Sequence, residues 1–117
     1  MYVDGFVLAV PKQNLNRYKE MAQVACDVWM SNGALSYVET VADDVSYGEV
    51  TSFPRAVQAK DDEVVILSWV TYKDRASRDE IMKKVMSDPR MKAQEGMADV
   101  FDGKRMFWGG FEELISR

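Results

Sequence analysis

The sequence has no histidine and only one cysteine, and each scarcity excludes a class of chemistry. Histidine is the commonest general base and zinc ligand. Its absence excludes histidine-activated nucleophiles, most zinc sites and haem held by histidine. A single cysteine cannot form an intramolecular disulfide, so the fold must depend on packing. We expect Cys26 to be a small core residue on a helix.

Long apolar runs and an excess of basic charge are missing as well. The apolar run at 64–67 is far too short to cross a bilayer, and residues 1–5 lack the basic start of a secretory signal. Lysine and arginine are scattered among acids and the net charge is −4, which disfavours binding to nucleic acid. We therefore expect a cytoplasmic protein without a membrane partner.

The composition is typical of one globular domain. A chain of 117 residues is long enough for one hydrophobic core but not for two. Its content of 47% hydrophobic and 29% charged residues is that of a globular protein. We therefore expect residues 1–117 to form a single domain. The sequence contains no glycine-rich phosphate loop, paired-cysteine motif or nucleophile elbow. We predict no cofactor and leave open whether the chain is an enzyme.

Hydrophobic periodicity predicts the element order β-α-β-β-α-β. Strands are predicted at 2–10, 34–42, 64–72 and 104–112. Asn14 and Asp74 are suited to begin the two long helices. Gly33 is suited to end the first, and Pro89 to end the second and begin a short third helix. The order is that of a ferredoxin-like α+β fold with a four-stranded antiparallel sheet.

This pattern places both long helices on one face of the sheet and leaves the other face bare. The strand at 64–72 is apolar throughout, which suggests a central strand covered on both faces. A large exposed apolar patch usually marks an interface, and packing two such sheets face to face would bury it. The sequence therefore predicts a homodimer.

Five motifs, in order along nearly the whole chain, resemble those of a known family. They are Tyr2-Val3-Asp4-Gly5-Phe6, Asp43-Asp44-Val45, Ser68-Trp69, Ser87-Asp88-Pro89-Arg90-Met91 and Phe101-Asp102-Gly103-Lys104-Arg105-Met106. The chain resembles the YbaA-like family of small bacterial proteins of unknown function. This resemblance implies a dimeric α+β barrel fold, in a superfamily that also holds antibiotic-biosynthesis monooxygenases, stress-responsive barrel proteins and chlorite dismutases. The haem-binding branches rely on a histidine, which this chain lacks, whereas the cofactor-free oxygenases stay compatible with it.

Charged residues inside predicted strands are the first candidate site. Because strand side chains alternate between two faces, Asp4, Glu39 and Arg105 each lie among large apolar neighbours. If the three faces coincide, these charges must pair, since an unpaired buried charge is costly. Arg105 then either neutralises an acid and fixes the strand register or the dimer, or leaves one acid as a proton acceptor with a raised pKa. A third alternative places the charges on separate faces or at exposed strand ends.

Aromatic residues and the eight methionines form the second candidate site. The candidate ligand-binding residues Trp29, Tyr37, Trp69 and Phe107 either fill the core and the dimer interface or line an apolar pocket. Arg55, in the irregular segment 43–59, is suited to a carboxylate or phosphate of a ligand, but we favour an acid across the dimer. The acids at 43–49 and 61–63 match no calcium-loop spacing, so we predict no metal site. The glycines at 109–110 indicate a bulge, or less favourably the close approach of a backbone or ligand.

Three functions are compatible with these patterns. The first is a homodimer that binds a small hydrophobic or aromatic molecule. The second is a cofactor-independent oxygenase or isomerase of the antibiotic-biosynthesis-monooxygenase type, with Asp4 or Glu39 as base and Arg105 stabilising a developing anion. The third is a structural or regulatory interaction module. A cavity that holds the candidate residues would favour the first two, and a filled interior would favour the third.

Overall fold

A computed structural model describes residues 1–94 and 99–117 of the chain. Its strands are β1 (Tyr2–Pro11), β2 (Ser36–Val41), β3 (Glu63–Tyr72) and β4 (Phe107–Glu112). Its helices are α1 (Leu15–Ser31), α2 (Phe53–Ala56), α3 (Arg75–Ser87) and α4 (Pro89–Lys92), with a 3-10 turn at Lys12–Asn14. The predicted ferredoxin-like α+β fold is confirmed, with the short α2 as an addition.

The strands form one antiparallel sheet in the order β2-β3-β1-β4. β1 and β3 are the central pair, and they stay in register from Tyr2 opposite Tyr72 to Pro11 opposite Glu63. The two most apolar strands of the chain thus occupy the middle of the sheet, where burial is greatest. None of the helices in the described ranges is long and apolar enough to cross a membrane.

Alternation of side chains gives the sheet two different faces. The covered face packs against α1 and α3 and carries the even-numbered residues of β1, β3 and β4 and the odd-numbered residues of β2. The open face carries the alternate residues. On the covered face, Val70 packs in one cluster with Val28 and Val85, and Leu8 packs in a second cluster with Tyr18. The buried residues of α1 and α3 therefore all pack against the same face of the sheet, as the hydrophobic periodicity predicts.

Local sequence signals set the helix ends. The Asp74 carboxylate accepts a hydrogen bond from the Ser77 amide at 2.7 Å, and α3 begins at the next residue. Gly33 follows α1 with φ +112°, a left-handed conformation that glycine adopts without strain. The Asp88 carboxylate accepts from the Arg90 amide at 2.9 Å and begins α4. The predicted ends of both long helices are thus confirmed.

Asn14 and Cys26 differ from their predicted roles as a helix cap and a core residue. Asn14 precedes α1 as predicted, but its side chain makes no capping bond and donates instead to the Val100 carbonyl at 2.9 Å. This bond ties the start of α1 to the segment that leads into β4. Cys26 lies on α1 and is only partly buried.

The segment 43–59, predicted to be irregular, contains the short helix α2. Ser52 caps this helix by accepting a hydrogen bond from the Arg55 amide at 3.2 Å. Val57 follows α2 and is fully buried, in a cluster with Val7 and Val65 of the open face. The segment therefore covers one end of the open face with residues of the same chain.

The rest of the open face is apolar and partly exposed. Leu67 is 38% exposed, Phe107 is 45% exposed and Phe111 is 63% exposed, and the half-buried Trp69 lies on the same face. A single chain therefore leaves most of this face bare, as the sequence pattern predicts, because the 43–59 segment reaches only one end of it. Coverage of β3 on both faces by a second copy stays a prediction.

The last strand also departs from the prediction. β4 begins at Phe107 rather than at 104, because residues 103–105 form a turn. The expected bulge at 109–110 is wrong, since Gly110 stays in register opposite Asp4. Gly110 is crowded in a different way: a side chain there would meet the Tyr2 hydroxyl and the Arg78 guanidinium, which lie over it and would have to move.

Candidate functional site

A cavity of about 340 Å³ lies between the covered face of the sheet, α1 and the residues that lead into β4. It exists because small side chains, Ala22 and Ala25 on α1 and Ser68 on β3, leave space between the helix and the sheet. Its lining is otherwise dominated by aromatic residues and methionines: Phe6, Tyr18, Met21, Trp29, Tyr37, Met91, Phe101 and Met106. Such an apolar concavity is the usual form of a small-molecule site.

Glu39 is the one charged side chain among the described residues that line the cavity. The Tyr18 hydroxyl donates to its Oε1 atom at 2.7 Å, and the Tyr37 hydroxyl donates to its Oε2 atom at 2.7 Å. Tyr37 stands two residues before Glu39 on the same face of β2, and Tyr18 reaches the carboxylate from α1. Both carboxylate oxygens are therefore fixed in place by protein donors.

The two tyrosines that hold Glu39 are hard to ionise. Burial raises the pKa of Tyr18 and of Tyr37 far above the ordinary value of 10, because a buried phenolate is poorly solvated. The nearby Glu39 charge and the hydrogen bonds that the hydroxyls donate to it raise both pKa values further. The tyrosines therefore act as hydrogen-bond donors at neutral pH, and the carboxylate as the acceptor.

A second polar network lies behind the cavity wall. The Trp29 indole donates from Nε1 to the Tyr72 hydroxyl at 2.9 Å, and that hydroxyl donates to Asp4 Oδ2 at 2.8 Å. Arg78 of α3 donates to the same carboxylate through Nε and Nη2 at 2.9–3.1 Å. Trp29 lines the cavity, so this chain of bonds fixes the orientation of one of its walls.

The structure separates the three charged candidates. Asp4 and Glu39 share the covered face, but Asp4 is fully buried and pairs with Arg78. Arg105 lies in the turn before β4 and donates to both oxygens of Glu63, at 2.7 and 2.6 Å. The prediction that Arg105 lies in the last strand is wrong, because β4 begins two residues later. Of the alternatives left open by the sequence, the one that separates the charges describes Arg105.

The five candidate ligand-binding residues also divide. Trp29 and Tyr37 line the cavity. Trp69 and Phe107 belong to the open face, on the other side of the sheet. Arg55 donates to the carbonyls of residues 47 and 48 at 2.8 and 2.9 Å, and its guanidinium stacks 3.9 Å from the centre of the Tyr47 ring. Arg55 therefore stabilises its own segment and does not reach the cavity.

Arg78 and Tyr18 are the site residues that sequence reasoning missed. Arg78 lies three residues before the buried Ile81, on the face of α3 that packs on the sheet, so helical spacing carried a signal for it. Tyr18 fits the apolar face of α1 by its spacing from Ala22 and Ala25, but nothing in the sequence pairs its hydroxyl with Glu39 of β2. Within residues 1–94 and 99–117, no group of three acidic or cysteine side chains is arranged to hold a metal ion.

Comparisons with solved structures support the fold. The chain matches the structure of Rv0793 from Mycobacterium tuberculosis with a TM-score of 0.57 at 12% identity, over 99% of this chain and 98% of that one. It matches an uncharacterized NIPSNAP domain protein from Burkholderia xenovorans with a TM-score of 0.58 at 10% identity, over 97% and 94% of the two chains. At such low identity these likenesses show the fold alone.

Comparisons of sequence show the family. The chain is 49% identical over 114 residues to proteins named "Uncharacterized protein YbaA" from Escherichia coli (strain K12) and Shigella flexneri, covering 97% of each partner in the comparison. Residues 1–103 match the family model described as "Protein of unknown function (DUF1428)". These matches confirm the resemblance found in the five motifs, and the chain belongs to the DUF1428 family.

Proposed function

We propose that this chain binds a small hydrophobic or aromatic molecule in the cavity between the sheet and α1. The observation that carries the proposal is the apolar cavity of about 340 Å³ with a single carboxylate in its described lining. Its volume lies at the small end of the range for ligand pockets, about 300–1,000 Å³. Because the lining is almost entirely apolar, an apolar occupant would remove that surface from water.

The walls of the cavity combine rigid and adaptable parts. Hydrogen bonds hold Trp29 to Tyr72, and Tyr18 and Tyr37 to Glu39, which reduces the entropy lost when a ligand binds. The methionines of the lining, Met21, Met91 and Met106, have flexible, polarisable side chains that adjust to irregular shapes. This combination suits a flat ring stacked against aromatic walls, with methionines closing around it.

The binding proposal is tested with N-phenyl-1-naphthylamine, a neutral aromatic probe that fluoresces in apolar surroundings. Ala22→Trp places an indole inside the cavity and should weaken probe binding by about tenfold or more. Ala76→Trp, at an exposed position on α3, is the matched control and should bind the probe like the wild type. Absence of binding to the wild type, or equal binding by the wild type and Ala22→Trp, would refute the proposal.

We also propose that two copies pair through the open face. Support comes from Leu67, Phe107 and Phe111, which are 38%, 45% and 63% exposed on one flat sheet surface. Exposed apolar area of this kind is costly in water, and a second copy of the same surface would bury it symmetrically. The cavity lies on the other side of the sheet, so pairing would leave it accessible.

Light scattering after size-exclusion chromatography tests the pairing. Phe111→Glu should convert a dimer into a monomer, because it places a charge in the apolar surface. Met86→Glu, at a 61% exposed position on α3, is the control and should keep the mass of the wild type. A wild-type protein that is monomeric at micromolar concentration would refute the dimer.

A second candidate function, proton transfer in a cofactor-independent oxygenase or isomerase, is favoured by one observation. Glu39 presents a carboxylate to an apolar cavity, where it can accept a proton from a bound molecule. Asp4 is unsuited to this role because it is fully buried and paired with Arg78, and Arg105 lies elsewhere. The cavity gives the third hypothesis, an interaction module with a filled interior, less support.

Exchange of the α-hydrogens of 2-tetralone in deuterated water tests the catalytic candidate. Exchange faster than in buffer alone, and slowed by Glu39→Gln, would support Glu39 as a base. Exchange at the buffer rate would count against proton transfer and leave the binding proposal intact.

A further inference from the structure

We infer that the cavity prefers lipophilic cations, that is, small aromatic or alkyl amines whose charged nitrogen faces Glu39. This inference rests on the proposed binding function and names the ligand class for that site. It combines the sign of the charge in the cavity with the arrangement of the aromatic rings around that charge.

Glu39 has hydrogen-bond partners but no basic partner among the described residues. Among the described residues that line the cavity there is no lysine or arginine, and the described ion pairs do not include Glu39. The carboxylate is held by two neutral tyrosine hydroxyls, one on each oxygen. Each oxygen has a further lone pair for another donor. A negative charge in apolar surroundings is stabilised most by a cation, and a ligand amine would supply it.

Two pairs of aromatic rings surround that carboxylate. Trp29 and Tyr37 form one pair with ring centres 5.8 Å apart, and Tyr18 and Phe101 form an edge-to-face pair at 5.7 Å. Glu39 accepts a hydrogen bond from one member of each pair, so its carboxylate lies between the two pairs. Faces of aromatic rings attract cations, and cages of such rings recognise ammonium groups.

The charge of Glu39 and the surrounding rings predict the same order of preference. An amine would gain the interaction with the Glu39 carboxylate together with contacts to the aromatic lining. A neutral molecule of the same shape would gain only the apolar contacts and leave Glu39 without a counter-charge. An anion would be repelled by Glu39 and would find no basic side chain in the described lining.

Three naphthalene probes of nearly equal size test the inference by isothermal titration calorimetry at neutral pH. They are 1-naphthylmethylamine, which is cationic, 1-naphthylmethanol, which is neutral, and 1-naphthoate, which is anionic. The wild type should bind the amine at least about tenfold more tightly than the alcohol, or about 1.4 kcal/mol, and should bind the anion most weakly. In Glu39→Gln the amine and the alcohol should bind within about threefold of each other, with the affinity for the alcohol little changed.

Glu20→Gln is the matched control, since it removes the same charge from an exposed position on α1 that does not line the cavity. It should keep the preference of the wild type for the amine. Tyr37→Phe serves if Glu39→Gln does not fold, because it keeps the charge and frees one carboxylate oxygen. It should bind the amine as selectively as the wild type or more so.

The possible results separate this inference from the function on which it rests. Equal binding of amine and alcohol by the wild type would overturn the preference for cations and leave ligand binding standing. A preference for the amine that persists in Glu39→Gln, or disappears in Glu20→Gln, would also overturn it, because the selectivity would not come from Glu39. Failure of all three probes and of N-phenyl-1-naphthylamine to bind would overturn the binding function itself.

Discussion

The buried pair between Asp4 and Arg78 allows a direct test of how the covered face is held together. The Asp4 side chain has no exposed surface and the Arg78 side chain is 14% exposed. Arg78→Met keeps most of the apolar length of the side chain but leaves the Asp4 carboxylate without its cation. The Tyr72 hydroxyl would remain as a donor to that carboxylate.

Removing one partner of a buried ion pair usually lowers the free energy of unfolding by about 3–5 kcal/mol. Because Tyr72 still donates and Arg78 is slightly exposed, we expect Arg78→Met to cost about 3 kcal/mol, at the lower end of that range. Asp4→Asn should cost less, since Arg78 keeps its ion pair with Asp79 at 2.9 Å. The double variant should be more stable than Arg78→Met alone, because it leaves no unpaired buried charge.

Urea unfolding followed by tryptophan fluorescence, at one fixed protein concentration, gives the free energies for this cycle. Arg17→Met is the matched control: Arg17 pairs with Asp99 at 3.2 Å, but the two side chains are 50% and 72% exposed. We expect this control to cost less than about 1 kcal/mol. If Arg78→Met costs no more than Arg17→Met, the reasoning is refuted, since Asp4 would then not need a cation.

Three further predictions concern a glycine, a second ion pair and the tyrosines. Gly110→Ala should lower the free energy of unfolding by about 1–3 kcal/mol because of the crowding over that residue. Gly109→Ala should cost less, because its methyl group would meet the Phe111 ring at an ordinary 3.8 Å; equal losses in urea unfolding would contradict the crowding. Glu63→Gln should be less stable than the wild type at neutral pH. Hydrogen bonds from Arg105 hold the pKa of Glu63 below its ordinary value, so this stabilisation is complete above the unfolded-state pKa and is lost as the pH falls through the folded-state pKa. Thermal unfolding across that range should show the two proteins converging below about pH 4.3, and a constant difference would argue against the pairing. Burial raises the pKa of three tyrosines, so their ultraviolet phenolate absorbance should be delayed in the folded protein and stability should fall above about pH 10; ionisation at the ordinary pKa would contradict their burial. These tyrosines are Tyr18, Tyr37 and Tyr72.

Local signals in the sequence were sufficient for most of the fold. Asp74, Gly33 and Pro89 act within one turn of their own position, so the helix ends they predict are independent of distant contacts. The start of β4 was less predictable, because Arg105 fits a strand pattern by its alternation with Phe107. In the structure it lies in a turn, where it donates to the nearby Asp102 carboxylate at 3.0 Å and to Glu63 of β3, a partner 42 residues away along the chain.

The candidate site was predictable only strand by strand. Alternation correctly placed Asp4 and Glu39 each among apolar neighbours of its own strand, but only the structure shows that both lie on the covered face. Which cation or hydroxyl each acid meets depends on how α1 and α3 lie across that face, and hydrophobic periodicity does not fix the identity of such contacts. Trp29 and Trp69 illustrate the same limit, since equally apolar residues lie on opposite sides of the sheet.

The strand β1 contributes to both surfaces, since Phe6 and Leu8 line the cavity while Val7 belongs to the open face. It is also bonded to a neighbouring strand along both of its edges. Substitutions on either side of this strand can therefore act separately. A change in the length of β1 affects both faces at once. One inserted residue would move every later side chain of the strand to the other face of the sheet. The apolar residues that line the cavity would then lie on the open face, and those of the open face would lie beneath the helices. We expect an insertion or deletion in β1 to destabilise the protein far more than a single substitution on either of its faces.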